Sequence, residues 1–197
     1  MLPEIHIVGE RTASNGIETG TNYTLSYCLL YIFALQYTYL LIMDGEKKAR
    51  RYKRLYQQIE DLLHKSNNPL SAMATIVAVL HHKMEYYFWT GFYLLQKGKL
   101  QVGPYQGSLA CIDLARDTGV CWAGILNKST IIVPDVHQFP GHIACDSRSN
   151  SEVVIPLLDR DGEIIGVLDV DSELKNAFDK TDAEWLEKIV KLVYNHD

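Results

Sequence analysis

The period of the apolar residues changes once along this chain, at Tyr86, and that change limits the fold more than any single motif. Before it, Tyr52, Leu55, Ile59, Leu62 and Leu63 recur at helical spacing over residues 46–65, with Lys, Arg and Glu on the other side. Asn68 followed by Pro69 reads as an N-cap with proline at the first helical position, and Leu70, Met73, Ile76, Val77 and Leu80 carry a second helix to Met84. After Tyr86 the period is two. Tyr86–Leu95 reads as an aromatic-rich strand, Lys97-Gly98-Lys99 as a turn and Leu100–Val102 as a returning strand.

Gly103 to Gly107 then reads as a loop, followed by a short strand into Cys111. Val120–Asn127 predicts a short helix and Thr130–Val133 another strand. Pro134 to Asn150 is a long irregular stretch, and loops of that length in compact domains usually carry function. Glu152–Leu158 and Glu163–Asp171 predict a hairpin around Asp159-Arg160-Asp161-Gly162. An amphipathic helix over Asp179–Tyr194 closes the chain, with Trp185, Ile189, Leu192 and Val193 apolar. Helix, helix, strands, helix is the order of an α+β domain with a mostly antiparallel sheet and helices packed on one face.

The start of the chain does not fit this domain. Between Glu18 and Asp44 lie 25 residues without a formal charge, and Leu25 to Met43 is strongly apolar, long enough for a membrane-spanning helix. Lys47, Lys48, Arg50, Arg51, Lys53 and Arg54 follow it and would keep the downstream domain on the cytoplasmic side. Against an anchor, scattered Tyr and Thr dilute the run, and Met43-Asp44-Gly45-Glu46 reads as a natural start. The expectation is that residues 1–42 are a spurious or disordered extension, with one cytoplasmic domain over 43–197. Cys28 falls in the extension and receives no role.

The net charge of −5 argues against a nucleic-acid surface. Four cysteines are too few for a disulfide scaffold, and the spacings of ten and then 24 between Cys111, Cys121 and Cys145 do not match the paired ligands of structural zinc. Cys145 lies in Gly141-His142-Ile143-Ala144-Cys145-Asp146, where a loop cysteine beside an acidic residue suggests thiol chemistry.

Two further features accompany the cysteines. Trp89 and Tyr93 are four apart in a strand and share a face, with Gly91 leaving a gap suited to a sulfur-methyl group. Core packing is the favoured explanation of the pair when it is taken alone. Asp169 and Asp171 alternate with Leu168 and Val170, and a hairpin turning about Arg160–Asp161 sets Glu152 opposite Asp169. Three acids on one face call for a bound cation or a shared proton, unless they fray into solvent at a strand end.

These residues resemble the free methionine-(R)-sulfoxide reductases, enzymes built on a GAF domain. The matching pieces are Trp89 to Tyr93, Gly103 to Gly107, Ala110-Cys111, Gly119-Val120-Cys121, Pro134-Asp135-Val136, Gly141 to Asp146, Ser151-Glu152 and Gly166 to Asp171. The likeness runs from about residue 46 to the C-terminus. It implies a single GAF-like domain that reduces free L-methionine (R)-sulfoxide without metal or organic cofactor. It implies Cys145 as the attacking thiolate, Cys111 as the main resolving thiol and Cys121 as an auxiliary resolver. Trp89 and Tyr93 would wall the methyl-sulfur end, and Glu152, Asp169 and Asp171 would hold the sulfoxide oxygen and the amine. Thioredoxin or a similar dithiol would restore the thiols, and the resemblance leaves a homodimer open. Trp122 departs from the pattern, which often has glycine after the second cysteine. A small-molecule-sensing module and a thiol redox switch are the alternatives; a switch would need the cysteines but neither the acids nor the aromatic pair.

A protein starting at Met43 is expected to be soluble, folded and as active as the longer chain. Fractionation of the native protein exclusively with membranes, with peptides from residues 1–42 present, would contradict this.

Overall fold

The computed structural model describes residues 45–65, 67–142 and 145–194. The N-terminal apolar run, Cys28 and the loop residues Ile143 and Ala144 lie outside them. Among the described residues no helix is long and apolar enough to cross a membrane.

Two helices come first, α1 over Gly45–Leu63 and α2 over Pro69–Lys83. The Asn68 side chain caps α2, accepting from the backbone N–H of Leu70 at 2.9 Å and Ser71 at 3.3 Å. Strands β1 (Trp89–Gln96), β2 (Lys99–Gln106) and β3 (Asp113–Leu114) follow, then α3 (Gly119–Asn127) and β4 (Ile131–Val133). A 3-10 turn at Val136–Gln138 interrupts the long loop before β5 (Ser151–Leu158), β6 (Ile164–Ser172) and α4 (Lys180–Lys191). All six strands form one antiparallel sheet in the order β3-β2-β1-β6-β5-β4.

Alternation along the central strands separates two cores. Phe92 of β1, Val153, Ile155 and Leu157 of β5, and Leu168 and Val170 of β6 point toward α1, α2 and α4 and form the larger core. The opposite face carries Trp89, Tyr93, Val154 and Val167, covered by Val120, Cys121 and Trp122 of α3. Three helices therefore lie on one face, and the short fourth covers the other.

Three local expectations need correction. Strand β2 runs through Gly103 and Pro104 to Gln106, where a loop was expected. Between the pairs Gly91↔Tyr105 and Tyr93↔Val102 it carries one extra residue, and a bulge tolerates the proline that a regular central ladder would not. The short strand expected before Cys111 comes after it, at Asp113–Leu114. The hairpin register also differs. Glu152 stands opposite Asp171, and Asp169 stands opposite Val154. The reason lies in the turn: Asp159 Oδ1 accepts from the N–H groups of Asp161 and Glu163, and Gly162 takes φ +83°. A second irregularity follows between Leu157 and Leu158. The register moves by two residues, so each side chain keeps its expected face.

Lys48, read from sequence as part of a basic cluster, is buried. Its ammonium contacts Asp182 Oδ2 at 2.6 Å and Asp179 Oδ2 at 2.9 Å, tying α1 to the start of α4. Asp182 is fully buried and also accepts hydrogen bonds from the hydroxyls of Tyr52, at 2.7 Å, and Tyr86. Its Oδ2 further accepts from the Asp179 N–H and completes a capping box. A buried charge with this many partners is stable only while the set is complete.

Asp182→Ala should therefore destabilise the domain by about 3–5 kcal/mol, the range for stranding one member of a buried ion pair. Equilibrium denaturant unfolding measures this; a loss under about 1 kcal/mol would place the pair in the weak, solvated class.

Candidate active site

Strand β6 lies between β1 and β5, so each acid on its site-facing side has two cross-strand neighbours. Asp171 is flanked by Trp89 and Glu152, and Asp169 by Gly91 and Val154. Trp89, Glu152, Asp169 and Asp171 line a cavity of about 220 Å³ together with Tyr93, Cys111, Cys121, His142 and Cys145. All eight residues singled out from sequence are on its wall: the three cysteines, the two aromatics and the three acids.

A disulfide joins Cys111 to Cys145, their Cα atoms 5.7 Å apart, and ties the β2–β3 connection to the long loop before β5. Cys145 is exposed and Cys111 half-buried. Cys121 is free and buried on α3. Burial pushes its thiol pKa up, and nearby Asp169 and Glu152 push it further, so Cys121 stays protonated at neutral pH. Trp122 packs into the second core.

The acids differ in their surroundings. Burial, then repulsion from Asp169 and Asp171, holds the Glu152 carboxyl well above its usual range. Burial, then Asp171, does the same for Asp169. Burial raises Asp171 to about 6, opposed by the hydroxyl of Ser149, which donates to Asp171 Oδ1. Three carboxyls so placed do not ionise independently, and the cluster retains a proton. Outside it, Arg148 holds Asp146 well below the usual carboxylate range through a two-point contact at 2.8 and 3.1 Å.

The aromatic wall is larger than expected. Trp89 stacks on Tyr93 at 5.7 Å between ring centroids and on Tyr105 at 5.5 Å. Its indole N–H donates to the Ser108 carbonyl at 3.1 Å, and the Tyr93 hydroxyl donates to the Cys111 carbonyl at 3.2 Å. The stack thereby holds the chain on both sides of the resolving-cysteine position. The gap expected at Gly91 is not empty. A Cβ there would fall 2.5 Å from the Trp89 ring and 2.5 Å from Tyr105 Cβ, so the indole already lies across the glycine.

Sequence reasoning missed three contributors. Tyr105 was read as part of a loop, and strand β2 carries it into the stack. Ser149 had no signal beyond its place in the long loop. His142 was read only as part of the Gly141–Asp146 loop; its Nε2 lies 3.8 Å from Glu152 Oε2, and burial lowers its pKa, leaving a neutral ring against the acid cluster. Its position in Gly141–Asp146 was the available clue.

Comparison with known proteins places this geometry. Residues 73–193 match the family model of the GAF domain. GAF domain-containing protein A of Dictyostelium discoideum is 45% identical over 157 residues, 79% of this chain and 98% of that one. The free methionine-R-sulfoxide reductase of Escherichia coli is 37% identical over 143 residues, 73% of this chain and 86% of that one. The crystal structure of free methionine-R-sulfoxide reductase from Neisseria meningitidis in complex with its substrate superposes with a TM-score of 0.72 at 39% identity, covering 76% of this chain and 89% of that one.

Gly91→Ala should displace the Trp89 ring, at an overpacking cost of about 1–3 kcal/mol. A lower denaturation midpoint and an altered near-UV circular dichroism spectrum are expected. An unchanged midpoint with an unchanged spectrum would show that the stack has room this geometry denies.

Proposed function

The chain belongs to the GAF domain family and, within it, to the free methionine-R-sulfoxide reductases, and from that premise we propose that this oxidoreductase reduces free L-methionine (R)-sulfoxide to methionine in a cytoplasmic, thiol-reducing setting. The observation that carries the reading is the Cys111–Cys145 disulfide on the wall of a cavity that also holds aromatic rings and three acids, Glu152 and Asp169 buried and Asp171 half-buried. A redox switch without a small substrate needs the first of these features and has no use for the other two.

The Cys145 thiolate attacks the sulfoxide sulfur, and the oxygen passes to the Cys145 sulfur with a proton from the acid cluster. Methionine leaves with its sulfur reduced, and Cys145 becomes a sulfenic acid. The Cys111 thiol then displaces the hydroxyl as water and forms the disulfide, the state of this structure. A dithiol reductant such as thioredoxin reopens it by exchange, becoming oxidised itself. Exposure of Cys145 suits both the attack on substrate and this last step. Cys121, buried and protonated beside the acids, serves at most as a reserve resolver.

The acid cluster recognises the substrate. A methionine amine brings the positive charge that the carboxyls lack, and a carboxyl that keeps its proton donates to the sulfoxide oxygen. The Trp89–Tyr93 face takes the methyl-sulfur end through sulfur–aromatic contact.

Cys145→Ser should reduce methionine formation to the uncatalysed background, since serine offers no thiolate at neutral pH. Cys111→Ser should release one equivalent of methionine and then stall under thioredoxin-driven recycling. Glu152→Gln should lower kcat/KM by roughly tenfold to a hundredfold, the scale of one charged hydrogen bond of about 1.5–3 kcal/mol. Steady-state methionine formation from separated sulfoxide epimers measures all three. Full turnover in Cys145→Ser would overturn the assignment.

A further inference from the structure

One thiol of the cavity is left untouched by the disulfide. Cys121 reaches the acid cluster from α3, opposite the sheet, and meets Glu152 of β5 and Asp169 of β6. One donor atom of each lies within 4.8 Å of the other two, and all three residues are buried. Three separate elements thus bring a sulfur and two carboxylate oxygens to one point.

Two independent observations show that this point lacks a positive partner. Asp169 is 6% exposed, and its Oδ1 has no hydrogen-bond partner among the described residues. A buried oxygen in that state carries an uncompensated desolvation cost. The described residues lining the cavity include no Lys or Arg.

We propose that, in the disulfide form, Cys121, Glu152 and Asp169 form a binding site for a thiophilic divalent cation of the zinc class, with water as the fourth ligand. The donor set selects the metal. Magnesium and calcium take oxygen ligands and disfavour sulfur, whereas zinc accepts sulfur and carboxylate together in a small tetrahedral shell. Binding deprotonates the Cys121 thiol and expels any proton the two carboxyls share, all to solvent. No sulfur changes oxidation state, so the Cys111–Cys145 bond is intact throughout. His142, 3.8 Å from Glu152 Oε2, stands where an outer partner would orient that ligand. Metal and substrate amine would compete for the same carboxylates. That consequence rests on the function proposed above; the metal site itself does not.

The test uses the full chain in a Cys28→Ser background, with the Cys111–Cys145 disulfide verified by mass spectrometry, so that Cys121 is its sole free thiol. Titration with Co²⁺ should raise a thiolate-to-cobalt charge-transfer band that saturates at one ion per chain and disappears when Zn²⁺ is added. Cys121→Ser should abolish the band. Loss of even an outer-shell partner costs about 10–100-fold in metal affinity, so Asp169→Asn should weaken binding at least that much. The Asp169 variant also decides the matter should Cys121→Ser fail to fold. A disulfide-form protein without a cobalt–thiolate band, or a band that survives in either variant at unchanged affinity, overturns the site. A saturating band in a chain inactive on methionine sulfoxide supports the site and removes the substrate reading.

Discussion

Strand alternation in the β1–β6–β5 core is the constraint on which the rest of the structure depends. Each of these strands is covered on both faces, and each sends successive side chains to opposite jobs. One set, including Phe92, Val153, Ile155, Leu168 and Val170, is apolar and packs against three helices. The other set carries the acids and the aromatic wall. Moving β5 or β6 by one residue would bury its carboxylates in the main core and expose its core valines to the cavity. The observed register differs by two from the simplest hairpin, and the site survives because two is a full period.

That arrangement costs stability on one face and recovers it on the other. Three carboxyls in a shielded cavity repel one another, and none of them has a lysine or arginine for company among the described lining residues. The helical face is organised in the opposite way. Lys48 is surrounded by Asp179 and Asp182, while Tyr52 and Tyr86 complete the shell of Asp182. The cation is matched where it locks two helices together and missing where a ligand would enter. Sites that bind and react are commonly poorer in stability than their supports.

The loops complete the cavity. Trp89 and Tyr93 donate to the carbonyls of Ser108 and Cys111, so the aromatic stack fixes the segment that bears the resolving thiol. The disulfide then links that segment to the loop bearing Cys145. The first link is available in any redox state, and the second exists when the thiols are oxidised. Redox state therefore changes how firmly the two loops are joined while the sheet beneath keeps its register.

The sequence by itself determined which residues share a face. Period two in residues 163–171 put Asp169 and Asp171 together, the spacing of Trp89 and Tyr93 made them neighbours, and Asn68-Pro69 marked a helix start, because each rests on local geometry alone. Four of the site residues were legible in this way, while the cysteine roles came from the family resemblance. What the sequence left undecided depends on contacts far apart in the chain. The partner of Glu152 depended on turn and bulge geometry, and Gly-Pro at 103–104 read as a break until a bulge admitted it. Lys48 read only as one of a basic cluster until α4, some 130 residues later, supplied its counter-charges. The three-ring stack and the approach of Cys121 to Glu152 and Asp169 were likewise settled only by packing across elements, since no local period records which distant side chain will meet another.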